Sequence, residues 1–408
     1  MRRVFSFFSR IAVVTMAAAC GGGGTAPAAA QGGDGGNRAD AALAPSSSGD
    51  GGHGPVSDAG DGPFVDTDGP LKTCGPDSVA RIAVGTATGG SAFDPLGYAP
   101  YAIDGCTLVY VTLPGPGPSG ELRVHQLATG DEVVLAPASE QPRRPSIMGD
   151  LIAWEAVVAG KSVVHVSKGG QASQATILSG PFDHAGEPRV TTDAVVFTAW
   201  LSSDEAGDTD VYLYSPDSQR LTAVATGAGQ QRFADVSSLF VAVSDFSEDP
   251  TGAFSPDTYR DADIVLFDRR TLAKTVRHLP GKQAFPMLGS SSRLGYLDWG
   301  GVTPEPKFSA YAIRVGEVSS DPATDGNAKG AGQVQVNTPY VRPSVRGDWL
   351  EWVDESAGGG GLFRRPIDLS QASTSTLVGY RLLGPVAGQP LTIVATAGSG
   401  YVLRAVAR

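Results

Sequence analysis

The residues best placed to do chemistry are carboxylates gathered in stretches rich in turn formers. Asp204, Glu205 and Asp208 form one group, Asp245, Glu248, Asp249, Asp257 and Asp261 a second, and Asp354 with Glu355 a third. Oxygen-rich loops of this kind hold hard cations such as Ca²⁺ or meet basic partners, although no spacing here matches an EF-hand loop and plain solvation is the simpler alternative. The 5 histidines are scattered. His125 and His165 fall on corresponding strands of successive repeats, where packing is the ordinary role. His184 stands near Asp183 and Glu187, a trio with metal-ligand chemistry that also reads as a polar turn. His53 reads as a solvated residue of the N-terminal tract, and His278, near a strand end, has no evident partner. No Gly-x-Ser-x-Gly elbow, His-Glu-x-x-His pair or phosphate-cradling Gly loop occurs, so no catalytic residue and no cofactor beyond a Ca²⁺ candidate is assigned. A net charge of −11 excludes a protein that tracks nucleic-acid phosphates.

What must position the carboxylates is a repeat. Pro145-Ser-Ile-Met-Gly-Asp-Leu-Ile-Ala-Trp154 returns near the C-terminus as Pro343-Ser-Val-Arg-Gly-Asp-Trp-Leu-Glu-Trp352. Both read as a short strand, a Gly-Asp turn and a second strand ending on Trp. Comparable starts at Pro100, Pro188, Phe233, Pro286 and Pro385 recur roughly every 40 to 55 residues. Glu121–His125, Asp210–Tyr214 and Asp263–Phe267 supply third strands that begin on a carboxylate and then alternate. Four short strands per unit, with 54 Gly and 29 Pro as punctuation, predict an all-β chain folded as a β-propeller. Seven blades are expected, with six as the alternative. The last unit is one strand short and Ser78–Val84 has no unit of its own, so the N-terminal strand is expected to complete the last blade and close the ring. Trp154, Phe197, Tyr296 and Trp352 are expected to wedge between blades. In a propeller the loops between second and third strands open on one face, which gathers the acidic groups there.

The N-terminal residues are of another kind. Arg2, Arg3 and Arg10 precede the apolar run Ile11–Ala19, too short for a membrane span and ordered like a secretory signal. With Ala17-Ala18-Ala19-Cys20 followed by Gly21, the segment 1–20 resembles a bacterial lipoprotein signal peptide. The resemblance implies a lipid on Cys20, a mature N-terminus there, and sorting toward the outer membrane. An ordinary signal peptide cleaved nearby is the alternative. Residues 21–73 are mostly Gly, Ala, Ser, Pro and Asp and read as a disordered tether, which as a Gly-rich coil spans on the order of 40 Å. In an oxidising compartment Cys74 and Cys106 make an even pair suited to a disulfide, with two free thiols as the alternative.

Residues 74–408, through the strands ending on Trp154 and Trp352 and the acid-led strands at Asp210 and Asp263, resemble the TolB-like and WD40-like propeller repeats of bacterial envelopes. TolB carries an additional α/β domain that has no counterpart here, so TolB's own partner is not carried over. The function expected is a membrane-anchored envelope lipoprotein, monomeric, whose propeller binds a protein or peptide through its acidic face. A propeller-type enzyme acting on polysaccharide or peptide with a metal at the funnel mouth is the alternative. A structural surface protein without a discrete ligand is a third reading.

Overall fold

The structure is a computed structural model. It describes residues 79–84, 98, 101–112, 120–126, 129–201, 207–247, 262–277, 282–289, 292–300, 311–318, 329–334, 343–346, 349–354, 361–371, 374–375, 391–396 and 400–405. Cys20, Cys74 and the whole of 1–73 lie outside these residues, as does the expected strand start at Pro385. Cys106 stands in the turn after Asp104, and its expected pairing with Cys74 therefore lies outside them too.

Alternating apolar residues between Gly and Pro turns produce strands almost throughout. Apart from the single-turn 3₁₀ segments Ala138–Glu140 and Ala172–Gln174, the described residues carry no helix, and none is long and apolar enough to cross a membrane. Sheet one pairs Tyr101–Asp104, Thr107–Val111, Leu122–Gln126 and Glu132–Ala136. Sheet two pairs Arg143–Met148, Leu151–Val158, Lys161–Lys168 and Thr176–Ile177. Sheet three holds His184–Thr191, Ala194–Trp200, Asp210–Ser215 and Arg220–Ala225, and sheet four Gln231–Val236, Phe240–Asp245, Asp263–Asp268 and Lys274–Arg277. Sheet five holds Lys282–Leu288, Arg293–Gly300, Tyr311–Glu317 and Lys329–Val334, and sheet six Ser344–Arg346, Trp349–Asp354, Gly361–Pro366 and Thr374–Ser375. Each is an antiparallel meander in chain order.

From sheet one to sheet six, each first strand touches the first strand of the next sheet, so the first strands line a common inner side. The expected wedges lie between sheets. Trp154 packs with Val109, Leu122 and Val124 of sheet one, and Phe197 with Ala153, Val164 and Val166 of sheet two. Tyr296 joins Ala242, Ile264 and Leu266 of sheet four, and Trp352 joins Ala284, Leu297 and Ile313 of sheet five. All four are buried, each contributing about 1.5–3 kcal/mol through the apolar surface it hides. At the outer side the fourth strands end the sheets with short or partly exposed edges, among them Val133, Val134 and Ile177.

The inner strands share a defect. Pairing of the first and second strands slips between Arg143 and Ser146, Gly186 and Arg189, Arg232 and Asp235, and Ala284 and Met287. In each slip one residue turns left-handed: Arg144 at φ 54°, Glu187 at 57°, Phe233 at 55° and Phe285 at 58°. Pro145, Pro188 and Pro286 follow directly, and a proline without an N–H fits a bulge where the ladder asks for no donor. Four of the seven anchors of the repeat, Pro145, Pro188, Phe233 and Pro286, thus mark bulges, and Pro100 lies outside the described residues.

A seventh sheet among the described residues has three strands, in which Val79–Val84 pairs antiparallel with Leu391–Thr396 and the latter with Gly400–Ala405. The N-terminal strand joins the last sheet as expected but on the other side. It lies next to Leu391–Thr396, the place a first strand takes elsewhere, and not along the outer edge of Gly400–Ala405. Val79–Val84 has no proline and can offer an unbroken ladder of N–H groups there, whereas the segment leading into Leu391 contains Pro385 and Pro390.

Candidate functional site

Of the acidic loop residues, Asp208 is exposed ahead of the third strand of sheet three, and Asp245 ends the second strand of sheet four. Asp354 ends the second strand of sheet six. Asp204, Glu205, Glu248, Asp249, Asp257, Asp261 and Glu355 lie outside the described residues. Burial first, and then the charge of Asp208, raise Asp210 from its ordinary value. Asp245 sits opposite Asp263 across the strand pair, and its Oδ1 accepts from Ser247 N at 3.0 Å and from Gln231 Nε2 at 3.4 Å. Asp298 holds the matching place in sheet five, where it accepts from Gln283 Nε2 at 3.3 Å and Arg314 Nε at 3.1 Å. First-strand Gln and second-strand Asp thus repeat at the same end of neighbouring sheets, a pair the sequence reading missed because the two residues lie far apart along the chain.

The histidines go to separate partners. His165 stacks on Trp154 with ring centroids 5.0 Å apart, opposite it in register as Tyr212 is opposite Phe197, and burial lowers its affinity for a proton. His125 lies opposite Leu108 and 3.4 Å from Glu132. His184 stacks on Trp200 at 5.5 Å and accepts from Ser162 N through Nδ1, Asp183 pairs with Lys161 at 3.0 Å, and Glu187 is buried elsewhere. The trio does not converge, and no group of three or more metal-ligating side chains forms among the described residues.

The densest polar chemistry lies on the inner bulges. Glu155, fully buried on the second strand of sheet two, takes Arg143 on Oε1 and Arg144 on Oε2 at 2.9 Å. Its Oε2 also accepts the backbone N–H of Glu187 in sheet three at 3.1 Å. Glu187, equally buried, accepts from Arg232 at 2.5 Å, from Thr198 Oγ1 at 2.9 Å and from Phe233 N in sheet four at 3.3 Å. In sheet four Ser244 Oγ accepts Phe285 N of sheet five at 2.9 Å. The amides of Glu187, Phe233 and Phe285, three of the four left-handed residues, are thereby satisfied by the preceding sheet, which offsets the cost of a bulged, buried N–H. A second layer follows: Ser146 Oγ accepts Val190 N at 3.2 Å, and Asp235 Oδ2 accepts Leu288 N at 2.7 Å. Burial pushes Asp235 up to about 6, against the lowering effect of the Arg189 charge and the two backbone N–H donors. Tyr98, just before sheet one, is buried beneath Arg144 and Arg189, whose guanidinium carbons stand 5.1 and 4.8 Å from its ring centroid. The sequence shows charged residues beside two of the anchors, Arg143 and Arg144 before Pro145 and Glu187 and Arg189 around Pro188, but not which of them pair.

No protein-family model and no curated protein matches the sequence. Among solved structures, the β-propeller domain of the Trilobed protease from Pyrococcus furiosus is 10% identical, with a TM-score of 0.50 over 75% of this chain and 94% of that one. TolB from Acinetobacter baumannii is 11% identical, with a TM-score of 0.44 over 64% of this chain and 61% of that one. The acylaminoacyl peptidase of Pyrococcus horikoshii is 10% identical, with a TM-score of 0.48 over 76% of this chain and 52% of that one. The chain spans less than two thirds of the length of the TolB and of the peptidase. With its meandering sheets set side by side on inner first strands, and with the likeness to the Trilobed protease domain, the chain has the β-propeller fold.

Proposed function

We infer that this propeller is a binding scaffold for a protein or peptide of the cell envelope, anchored to the outer membrane by a lipid on Cys20 and engaging its partner through the acidic loop ends. The observation that carries the reading is the matched placement of Asp245 and Asp298 at one end of sheets four and five, together with Asp208, exposed ahead of the third strand of sheet three. Latches from sheet to sheet hold those ends fixed, and loops on a rigid frame are where recognition surfaces reside. Carboxylates on such a rim favour a partner presenting Lys and Arg, speeding encounter and setting orientation. The loop residues Asp204, Glu205, Glu248, Asp249, Asp257, Asp261 and Glu355 extend the same surface in this proposal, and a Cys74–Cys106 disulfide ties the tether to sheet one.

A photo-crosslinking residue placed at Asp208 or Asp298 in living cells tests it, with the outer-edge Val134 as control. Discrete adducts at the first two positions and none at Val134 support the scaffold. Equal labelling at all three sinks it.

A further inference from the structure

The position occupied by Arg189 is built for an acceptor in the sheets on either side. Ser146 in sheet two accepts the N–H of Val190 in sheet three, and Asp235 in sheet four accepts the N–H of Leu288 in sheet five. Pairing registers put Arg189 at the same level, opposite Val196 as Ser146 is opposite Ala153 and Asp235 opposite Ala242. An arginine cannot accept a hydrogen bond, so the N–H of Val236 in sheet four is taken by Asp235 Oδ1 at 3.0 Å. The structural reason for a polar residue at this level is absent at Arg189.

Nor is the guanidinium used by its surroundings. Arg143 and Arg144 share the single carboxylate of Glu155, which leaves the group of three with a net positive charge, and Arg232 pairs with Glu187. Asp235 is near enough to feel the Arg189 charge, but both its oxygens are engaged by backbone N–H groups. The guanidinium of half-buried Arg189 makes no hydrogen bond or ion pair among the described residues, and its carbon stands 4.8 Å from the Tyr98 ring centroid. Stacking uses the π face of a guanidinium and leaves its edge N–H donors free for a planar oxyanion, the geometry in which arginine binds carboxylate with two parallel hydrogen bonds. Arg144, above the same ring at 5.1 Å, adds a second positive charge.

The geometry points to a carboxylate-binding subsite at Arg189, floored by Tyr98, on the inner side of the propeller. It is separate from the acidic loop ends and selects the opposite charge. A free carboxylate comes either from a small organic acid or from the C-terminus of a peptide, and the two are told apart by probe. The full-length protein is titrated by calorimetry with acetate, with trialanine and with trialanine amide, at constant ionic strength. Saturable heat with acetate and trialanine, lost with the amide, supports the subsite. Tighter binding of trialanine than of acetate assigns it to a peptide terminus, and equal binding to a small acid. Arg189→Gln should weaken the bound probe about tenfold or more, and Arg189→Lys, which keeps the charge but not the fork, by a smaller factor. Should Arg189→Gln fail to fold, Arg189→Lys carries the comparison. No saturable heat with either carboxylate, or affinity unchanged in the variants, overturns the assignment.

Discussion

The carboxylate of Glu155 in sheet two accepts the backbone N–H of Glu187 in sheet three at 3.1 Å, and the Glu187 carboxylate in turn accepts Phe233 N of sheet four at 3.3 Å. A charged side chain therefore does between sheets what the backbone ladder does within them. It holds a left-handed residue in place and supplies the counter-charge for the arginines beside it.

Glu155→Ala strands Arg143 and Arg144 without their shared carboxylate and leaves Glu187 N–H unbonded. Chemical denaturation should show a loss of about 3–5 kcal/mol, the range for breaking one side of a buried ion pair. A loss under about 1 kcal/mol would mean that solvent reaches this layer.

Gly186 owes its identity to the same carboxylate. A Cβ there would lie 2.5 Å from Glu155 Oε2, whereas one at Gly227 would meet nothing within 4 Å. Gly186→Ala should cost about 1–3 kcal/mol and Gly227→Ala less than about 0.5 kcal/mol, compared in the same denaturation series.

Asp235 gives the fold a pH dependence of determinable sign. Its folded value of about 6 lies above the usual 3.8, so between those values the native carboxyl keeps a proton that the unfolded chain has released. Stability from this group is full below the lower value and is lost as pH rises through about 6, amounting to about 2 kcal/mol after allowance for partial solvent contact. Asp235→Asn removes the dependence, so its unfolding free energy relative to wild type should rise by about 2 kcal/mol from about pH 4 to about pH 7. A parallel pair of pH profiles would contradict the placement of Asp235.

The proposed lipid anchor on Cys20 can be tested apart from the fold. Cys20→Ser should move the protein from the membrane to the soluble fraction and abolish metabolic labelling with palmitate, with the melting temperature unchanged. Unaltered partitioning would remove the anchor from the account.

The all-β class and the four-stranded repeating unit were legible in the sequence because alternation and Gly/Pro punctuation are local, and Trp154 and Trp352 announced the repeat directly. The role of the anchors was not. Pro145, Pro188 and Pro286 read as strand starts, yet they lie within strands at bulges, because a proline signals a missing donor and not its cause. Glu187 read as part of a polar turn with Asp183 and His184, and it is buried with Arg232, a partner 45 positions away. Pairings of that span depend on how sheets pack, which period and composition do not encode. Arg189 was invisible for the same reason, since its oddness appears only beside Ser146 and Asp235.

The most direct test of sheets packed side by side on inner bulges is residue-resolved hydrogen exchange. Amides of Glu187, Phe233 and Phe285, held by side chains of the preceding sheet, should exchange as slowly as those of the core strands, and Glu155→Gln should speed Glu187 first. Exchange at those three amides as fast as at the exposed turn residue Gly160 would contradict the arrangement.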